Sequence, residues 1–134
     1  GQDIHFFHYN LDLQKGPCLA KRVTGCGAGI EYLAVTPEGD LYPCHQFVGE
    51  ARFYMGNVEN GEIDYAVRRV FEENQLVNKE CRRCWARYFC GGGCHAGAYF
   101  QGDISKPHAV SCTMHKKRIE GAIYLDLLKH LPPR

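Results

Sequence analysis

Apolar and polar positions follow three successive patterns along this chain. From Ile4 to Leu13 they alternate with period two. Phe7, Tyr9, Leu11 and Leu13 fall on one side and Ile4 and Phe6 on the other, which predicts a strand over residues 4–13. Gly16-Pro17 then breaks the pattern. Two apolar segments, 30–35 and 40–42, flank Pro37-Glu38-Gly39. Proline presets the entry to a turn and glycine accepts positive φ, so a β-hairpin is expected there. The stretch "ARFYMGNV" adds a short strand within residues 51–58. Over residues 62–74 the period changes. Ile63, Ala66, Val67, Val70 and Phe71 recur at helical spacing, with Arg68, Arg69, Glu72 and Glu73 off that face. A second helix is expected over residues 112–130, turning Met114, Ile119, Ala122, Ile123 and Leu127 toward a core and ending at Pro132-Pro133. Between the helices the periodicity stops, and Gly91-Gly92-Gly93 argues against regular structure. The expected class is α+β, with a small hairpin-based sheet, two main helices and long connecting loops.

Composition narrows the options. The chain has 134 residues, the size of one domain. Its 16 basic and 15 acidic residues leave a net charge of +1, which gives no electrostatic case for nucleic acid or a membrane surface as partner. No apolar run approaches the ~20 residues of a membrane helix. The chain shows no signal-peptide pattern, low-complexity tract or internal repeat. It opens without methionine, directly into an apolar-rich stretch, and reads as a fragment of a larger protein.

Cysteine changes the picture most. Eight are present: Cys18, Cys26, Cys44, Cys81, Cys84, Cys90, Cys94 and Cys112. Disulfides, zinc and iron–sulfur clusters are the three chemistries open to them. Four disulfides would have to be chosen among neighbours separated by only two, five and three residues, which leaves few unstrained pairings. A structural zinc wants four ligands, often as two short pairs. Cys81–Cys84 and Cys90–Cys94 supply such pairs, but this leaves Cys26, Cys44 and Cys112 unexplained. An iron–sulfur cluster takes one thiolate per iron corner, so Cys81, Cys84 and Cys90 can cover three corners and Cys112 a fourth. Cys94 is then released to join Cys26 and Cys44. The three glycines before Cys94 let the backbone approach an inorganic core and aim N–H groups at sulfur, or simply form a tight turn.

The combined spacing is C-x12-G-x4-C at Cys26, Gly39 and Cys44, then C-x2-C-x5-C-x3-C from Cys81 to Cys94, then a downstream Cys112. It resembles the SPASM domain of radical SAM enzymes, a C-terminal domain with two auxiliary [4Fe–4S] clusters. The resemblance implies that Cys26, Cys44 and Cys94 hold the first cluster, and that Cys81, Cys84, Cys90 and Cys112 hold the second. Cys18, eight residues before Cys26, is expected to supply the fourth ligand of the first cluster. In other SPASM enzymes that iron is open and substrate binds it. On this reading residues 1–17 are a remnant or linker from a missing upstream radical SAM barrel, and residues 18–134 are the auxiliary-cluster domain, its loops wrapped around two metal clusters.

"CGAGIEYLAVTPEGDLYPCHQFVG" and "CRRCWARYFCGGGCHAGAYF" resemble the maturases of SCIFF peptides, short ribosomal peptides rich in cysteine. This implies thioether formation on a cysteine-rich precursor peptide, in the cytoplasm. Sulfatase maturases share the cysteine frame and are the second reading within the family. A zinc-stabilised interaction module without redox function is the alternative from another class. The C-x3-C-x2-C site that cleaves S-adenosylmethionine is absent: Cys90-x3-Cys94 begins it, but position 97 is glycine. That third cluster and S-adenosylmethionine belong to the missing core, so no catalytic residue is expected in this chain.

Among other side chains, His45 and His95 each follow an expected ligand cysteine and read as structural histidines. Lys79, Arg82, Arg83 and Arg87 surround the cysteine run, either offsetting cluster charge or forming a solvated basic face. Trp85, Tyr88 and Phe89 read as core that shields a cluster. No Ser–His–Asp order, phosphate loop or paired-carboxylate signature stands out.

Overall fold

A computed structural model of the chain describes residues 6–17, 23, 25–74 and 80–131. Four short strands, β1 (Ala34–Val35), β2 (Asp40–Tyr42), β3 (Gly56–Asn57) and β4 (Glu62–Ile63), form an antiparallel sheet in the order β1-β2-β3-β4. The β1–β2 hairpin forms where the sequence predicts it, pairing Ala34 with Tyr42 and Val35 with Leu41. Its turn is closed by Gly39 N–H donating to the Thr36 carbonyl at 2.9 Å, with Gly39 at φ 87°. Strand β1 is shorter than expected, because residues 27–31 turn back on themselves: Ile30 and Glu31 N–H both donate to the Gly27 carbonyl. Within residues 51–58 only Gly56 and Asn57 form a strand, while Ala51–Phe53 forms a 3-10 turn.

Helix α1 spans Tyr65–Glu73, not residues 62–74. The Asp64 carboxylate accepts the Ala66 N–H at 2.7 Å and caps the helix, so the preceding residues cannot be helical. Glu62 and Ile63 instead pair with Asn57 and Gly56. This pairing depends on Gly56, whose φ is 122° and whose missing Cβ would strike the Glu62 carbonyl oxygen. Gly56→Ala is therefore expected to cost at least about 3 kcal/mol by thermal melting. Gly61→Ala, at φ 66° in open space, should cost only about 1–2 kcal/mol.

The core lies between the sheet, α1 and the segments that carry cysteine. Phe47, Phe53 and Phe71 are fully buried beside Met55 and Val67. The Phe47 and Phe53 rings lie 4.3 Å apart, and Tyr99 meets Phe53 edge-on at 4.8 Å. Cys44 belongs to this cluster, so core packing and the position of one thiol are set together.

The cysteine-rich stretch is more regular than its glycines suggest. A 3-10 turn covers Glu80–Arg83, followed by two short helices, α2 (Arg87–Cys90) and α3 (His95–Tyr99). Between them Gly91, Gly92 and Gly93 adopt φ of 72°, 87° and 82°, three consecutive left-handed residues that reverse the chain. The final helix, α4 (Ala109–His130), begins three residues earlier than expected. Of its five expected core residues only Ile119 and Ala122 are buried, whereas Met114 and Leu127 are 67% and 57% exposed. The strand expected over residues 4–13 does not form among the described residues. Phe7–Tyr9 is a 3-10 turn, and the Asp12 carboxylate accepts the Gln14 and Lys15 N–H groups. The alternation reflects contact with a helix: the Tyr9 ring lies against Gly121 of α4, where a side chain would collide with it. The fold is α+β, as the sequence implies. No helix among the described residues is long and apolar enough to cross a membrane.

Candidate metal centre

The described cysteines fall into two neighbourhoods. In the first, Cys44 follows β2 and Pro43, buried against Phe47. The Phe47 N–H donates to the Cys44 carbonyl at 3.0 Å, closing the 3-10 turn at His45–Phe47, and that turn brings the amides of Gln46 and Phe47 near the sulfur. Cys94 precedes α3 and accepts the Gly97 N–H at 3.4 Å, acting as the helix cap. Cys26 lies at the start of the tight turn before β1, with the His95 Nδ1 at 3.9 Å from its sulfur. These three thiols are electrostatic neighbours. Burial pushes the Cys44 thiol up, the two amides pull it down, and the charges of Cys26 and Cys94 push it up again. Tyr32 reports the same group. Its phenol is pushed up to about 12, first by burial and then by Cys26, Cys44 and Cys94, and its hydroxyl hydrogen-bonds Cys26. Cys18 lies outside the described residues.

In the second neighbourhood Cys81, Cys84, Cys90 and Cys112 line one cavity with about 510 Å³ of empty space, counting its open mouth. Cys81 and Cys84 are joined by a turn in which the Cys84 N–H donates to the Cys81 carbonyl at 2.9 Å. Cys90 ends α2, and Cys112 lies in the first turn of α4. The sulfur of Cys90 accepts N–H groups from Gly92 and Gly93, a direct consequence of the left-handed glycine run. Burial pushes its thiol up, and the charges of Cys112 and Cys84 add to this. Cys94 also lines this cavity, so it stands between the two neighbourhoods.

The donor set suits a group that takes thiolates at several corners. Soft sulfur donors select iron–sulfur clusters or zinc. Among the described residues no three His, Cys, Asp or Glu side chains close around one point as a single ion requires. A mononuclear zinc needs its thiolates about 2.3 Å from one centre. None of the seven described cysteines is joined in a disulfide. Neighbouring thiolates repel one another without a cation, and a positive inorganic core reverses that balance by stabilising each thiolate. Backbone amides at Cys44 and Cys90 pull those thiols down, against the larger upward push of burial.

The surrounding side chains differ in part from expectation. His95 is buried and His45 exposed. Arg82 and Arg83 are exposed, while Arg87 reaches the Cys84 carbonyl at 3.2 Å and lies over the Tyr88 ring. Lys79 lies outside the described residues. Trp85, expected in the core, is 54% exposed, because the turn at residues 85–86 buries Ala86 instead. The sequence reading missed Tyr32, His115 and Lys116. The last two line the second cavity from α4, and their spacing of three and four from Cys112 places them on its face. Burial, with the charge of Arg118, pulls the His115 imidazole down, which favours its neutral form. No spacing in the sequence singles out Tyr32.

Comparison with known proteins agrees with this donor chemistry. The family model of SPASM, an iron–sulfur cluster-binding domain, matches residues 26–85. The match includes Cys26, Cys44, Cys81 and Cys84 and ends before Cys90, so the placing of Cys90, Cys94 and Cys112 comes from the fold. The chain is also 28% identical over 75 residues to the serine-type anaerobic sulfatase-maturating enzyme of Klebsiella aerogenes. That match covers 53% of this chain and 18% of the relative. Over residues 26–85 the chain is similar to SPASM, an iron–sulfur cluster-binding domain.

Proposed function

We propose that this domain holds two auxiliary [4Fe–4S] clusters and serves a radical SAM enzyme that modifies a cysteine-rich ribosomal peptide by thioether formation. Cys26, Cys44 and Cys94, with Cys18 as fourth ligand, hold the first cluster. Cys81, Cys84, Cys90 and Cys112 hold the second. The observation that carries this reading is the separation of the described cysteines into the two neighbourhoods, with Cys94 contributed across from the cysteine run to Cys26 and Cys44.

Joining sulfur to carbon through a radical leaves one electron to remove, and a bound cluster supplies an acceptor for it. The chain's own residues prepare the setting. Paired amides at Cys44 and Cys90 partly offset the burial that pushes these thiols up, and so lower the cost of ionising sulfur there. The glycine run lets the backbone approach from one side, and Phe47 packs the core behind Cys44. Arg87 and Lys116 at the second cavity offset the negative charge of four thiolates. Cleavage of S-adenosylmethionine, and the barrel that performs it, belong to chain outside these residues. The peptide is the substrate partner, and the setting is the reducing cytoplasm. The kinship with the sulfatase-maturating enzyme supports a second reading, in which the same domain serves a protein maturase of that type.

Iron and acid-labile sulfide, measured on anaerobically prepared protein, test the proposal. About eight of each per chain are expected, as two four-iron clusters require. A colourless protein that retains zinc under these conditions overturns it.

A further inference from the structure

The buried histidine beside Cys26 has a place that packing alone does not explain. His95 is 4% exposed, at the first position of α3. Its ring stands edge-on to Phe71, centroids 5.4 Å apart, so the core fixes its orientation. In that orientation Nδ1 lies 3.9 Å from the Cys26 sulfur, at the outer reach of an N–H···S hydrogen bond, across 69 positions of sequence. A thiolate only accepts, so beside an ionised Cys26 this nitrogen carries the proton. Charge on the acceptor strengthens such a bond.

The three thiols of the first neighbourhood are also served differently. Cys44 lies near the backbone amides of Gln46 and Phe47, and Cys94 accepts that of Gly97. Cys26 meets the side chains of His95 and Tyr32. Backbone donors are invariant under mutation, whereas side-chain donors are where sequence can adjust a cluster. Hydrogen bonds to the ligating sulfurs are one of the terms that set cluster potential.

We propose that His95 is a positioning residue of the Cys26–Cys44–Cys94 centre, donating its Nδ1–H to the Cys26 thiolate and raising the reduction potential of the cluster held there. The inference rests on the reading that this group of thiols binds a cluster. A donor at sulfur stabilises the reduced, more negative form, so its loss makes the cluster harder to reduce.

The test uses the full natural chain, prepared anaerobically with its clusters, and redox titration followed by electron paramagnetic resonance. His95→Phe keeps an aromatic ring against Phe71 and removes the N–H. His95→Asn returns an N–H close to where Nδ1 stands. The phenylalanine variant should shift the reduction equilibrium of one cluster at least tenfold toward the oxidised form, 59 mV for one electron. The asparagine variant should recover most of that shift. The cluster at Cys81, Cys84, Cys90 and Cys112 should keep its potential in both variants. Unchanged potentials in His95→Phe, with iron content intact, overturn the proposal. Where that variant loses iron, the wild-type protein labelled with 15N-histidine decides: a nitrogen coupling to one reduced cluster is expected, and its absence overturns the proposal. A wild-type chain that binds no iron and sulfide overturns the cluster reading itself, and this inference with it.

Discussion

Cys112→Ala is expected to remove about half of the bound iron and sulfide, leaving roughly four of each per chain. Cys81, Cys84 and Cys90 lie within ten residues of one another, but Cys112 reaches their cavity from α4. Removing it opens one corner and also detaches the first turn of the long helix from the cysteine-rich stretch. The surviving signal should be that of the cluster at Cys26, Cys44 and Cys94. Met114→Ala, on the same helix and exposed, should leave the metal content unchanged. Iron and sulfide assays with electron paramagnetic resonance of the reduced protein check both outcomes. Full iron in Cys112→Ala, with loss in Cys81→Ala, would exclude Cys112 from the set.

Phe47→Ala is expected to destabilise the protein by about 3–5 kcal/mol, the range for emptying a buried aromatic site. Its ring is fully buried and meets Phe53, Phe71 and Tyr99. For a chain of this size the loss corresponds to a fall in melting temperature of roughly 10–20 °C. The same residue donates its N–H to the Cys44 carbonyl, so loosening the turn at His45–Phe47 should also release iron from the first centre before the second. Val48→Ala, next in sequence and exposed, should shift stability by less than about 0.5 kcal/mol. A melting temperature for Phe47→Ala close to wild type would separate the core from the metal site.

Much of the local structure was legible in the chain. Pro37-Glu38-Gly39 marks the hairpin turn because proline and glycine each answer one backbone demand of that turn. The helical period names α1 and α4, but it places their ends poorly. The Asp64 cap stops α1 short of Ile63, and β3 then captures that residue as β4. Periodicity also overstated the burial of α4, since an apolar stripe marks a face without saying what covers it. The same holds for residues 6–13, where alternation suggested a strand and the chain packs Tyr9 on Gly121 instead.

The sequence by itself determined the donor chemistry and the short-range geometry: eight soft sulfurs, their spacings, and three glycines able to turn between two of them. These depend only on residue type and on separations of a few positions. Tertiary structure alone decided that amides of Gln46, Phe47, Gly92 and Gly93 lie near sulfur, and that His95 meets Cys26. Such proximities follow the path of the whole chain around the Phe47–Phe53–Phe71 core, and a path of that length is set by packing, which no local pattern encodes.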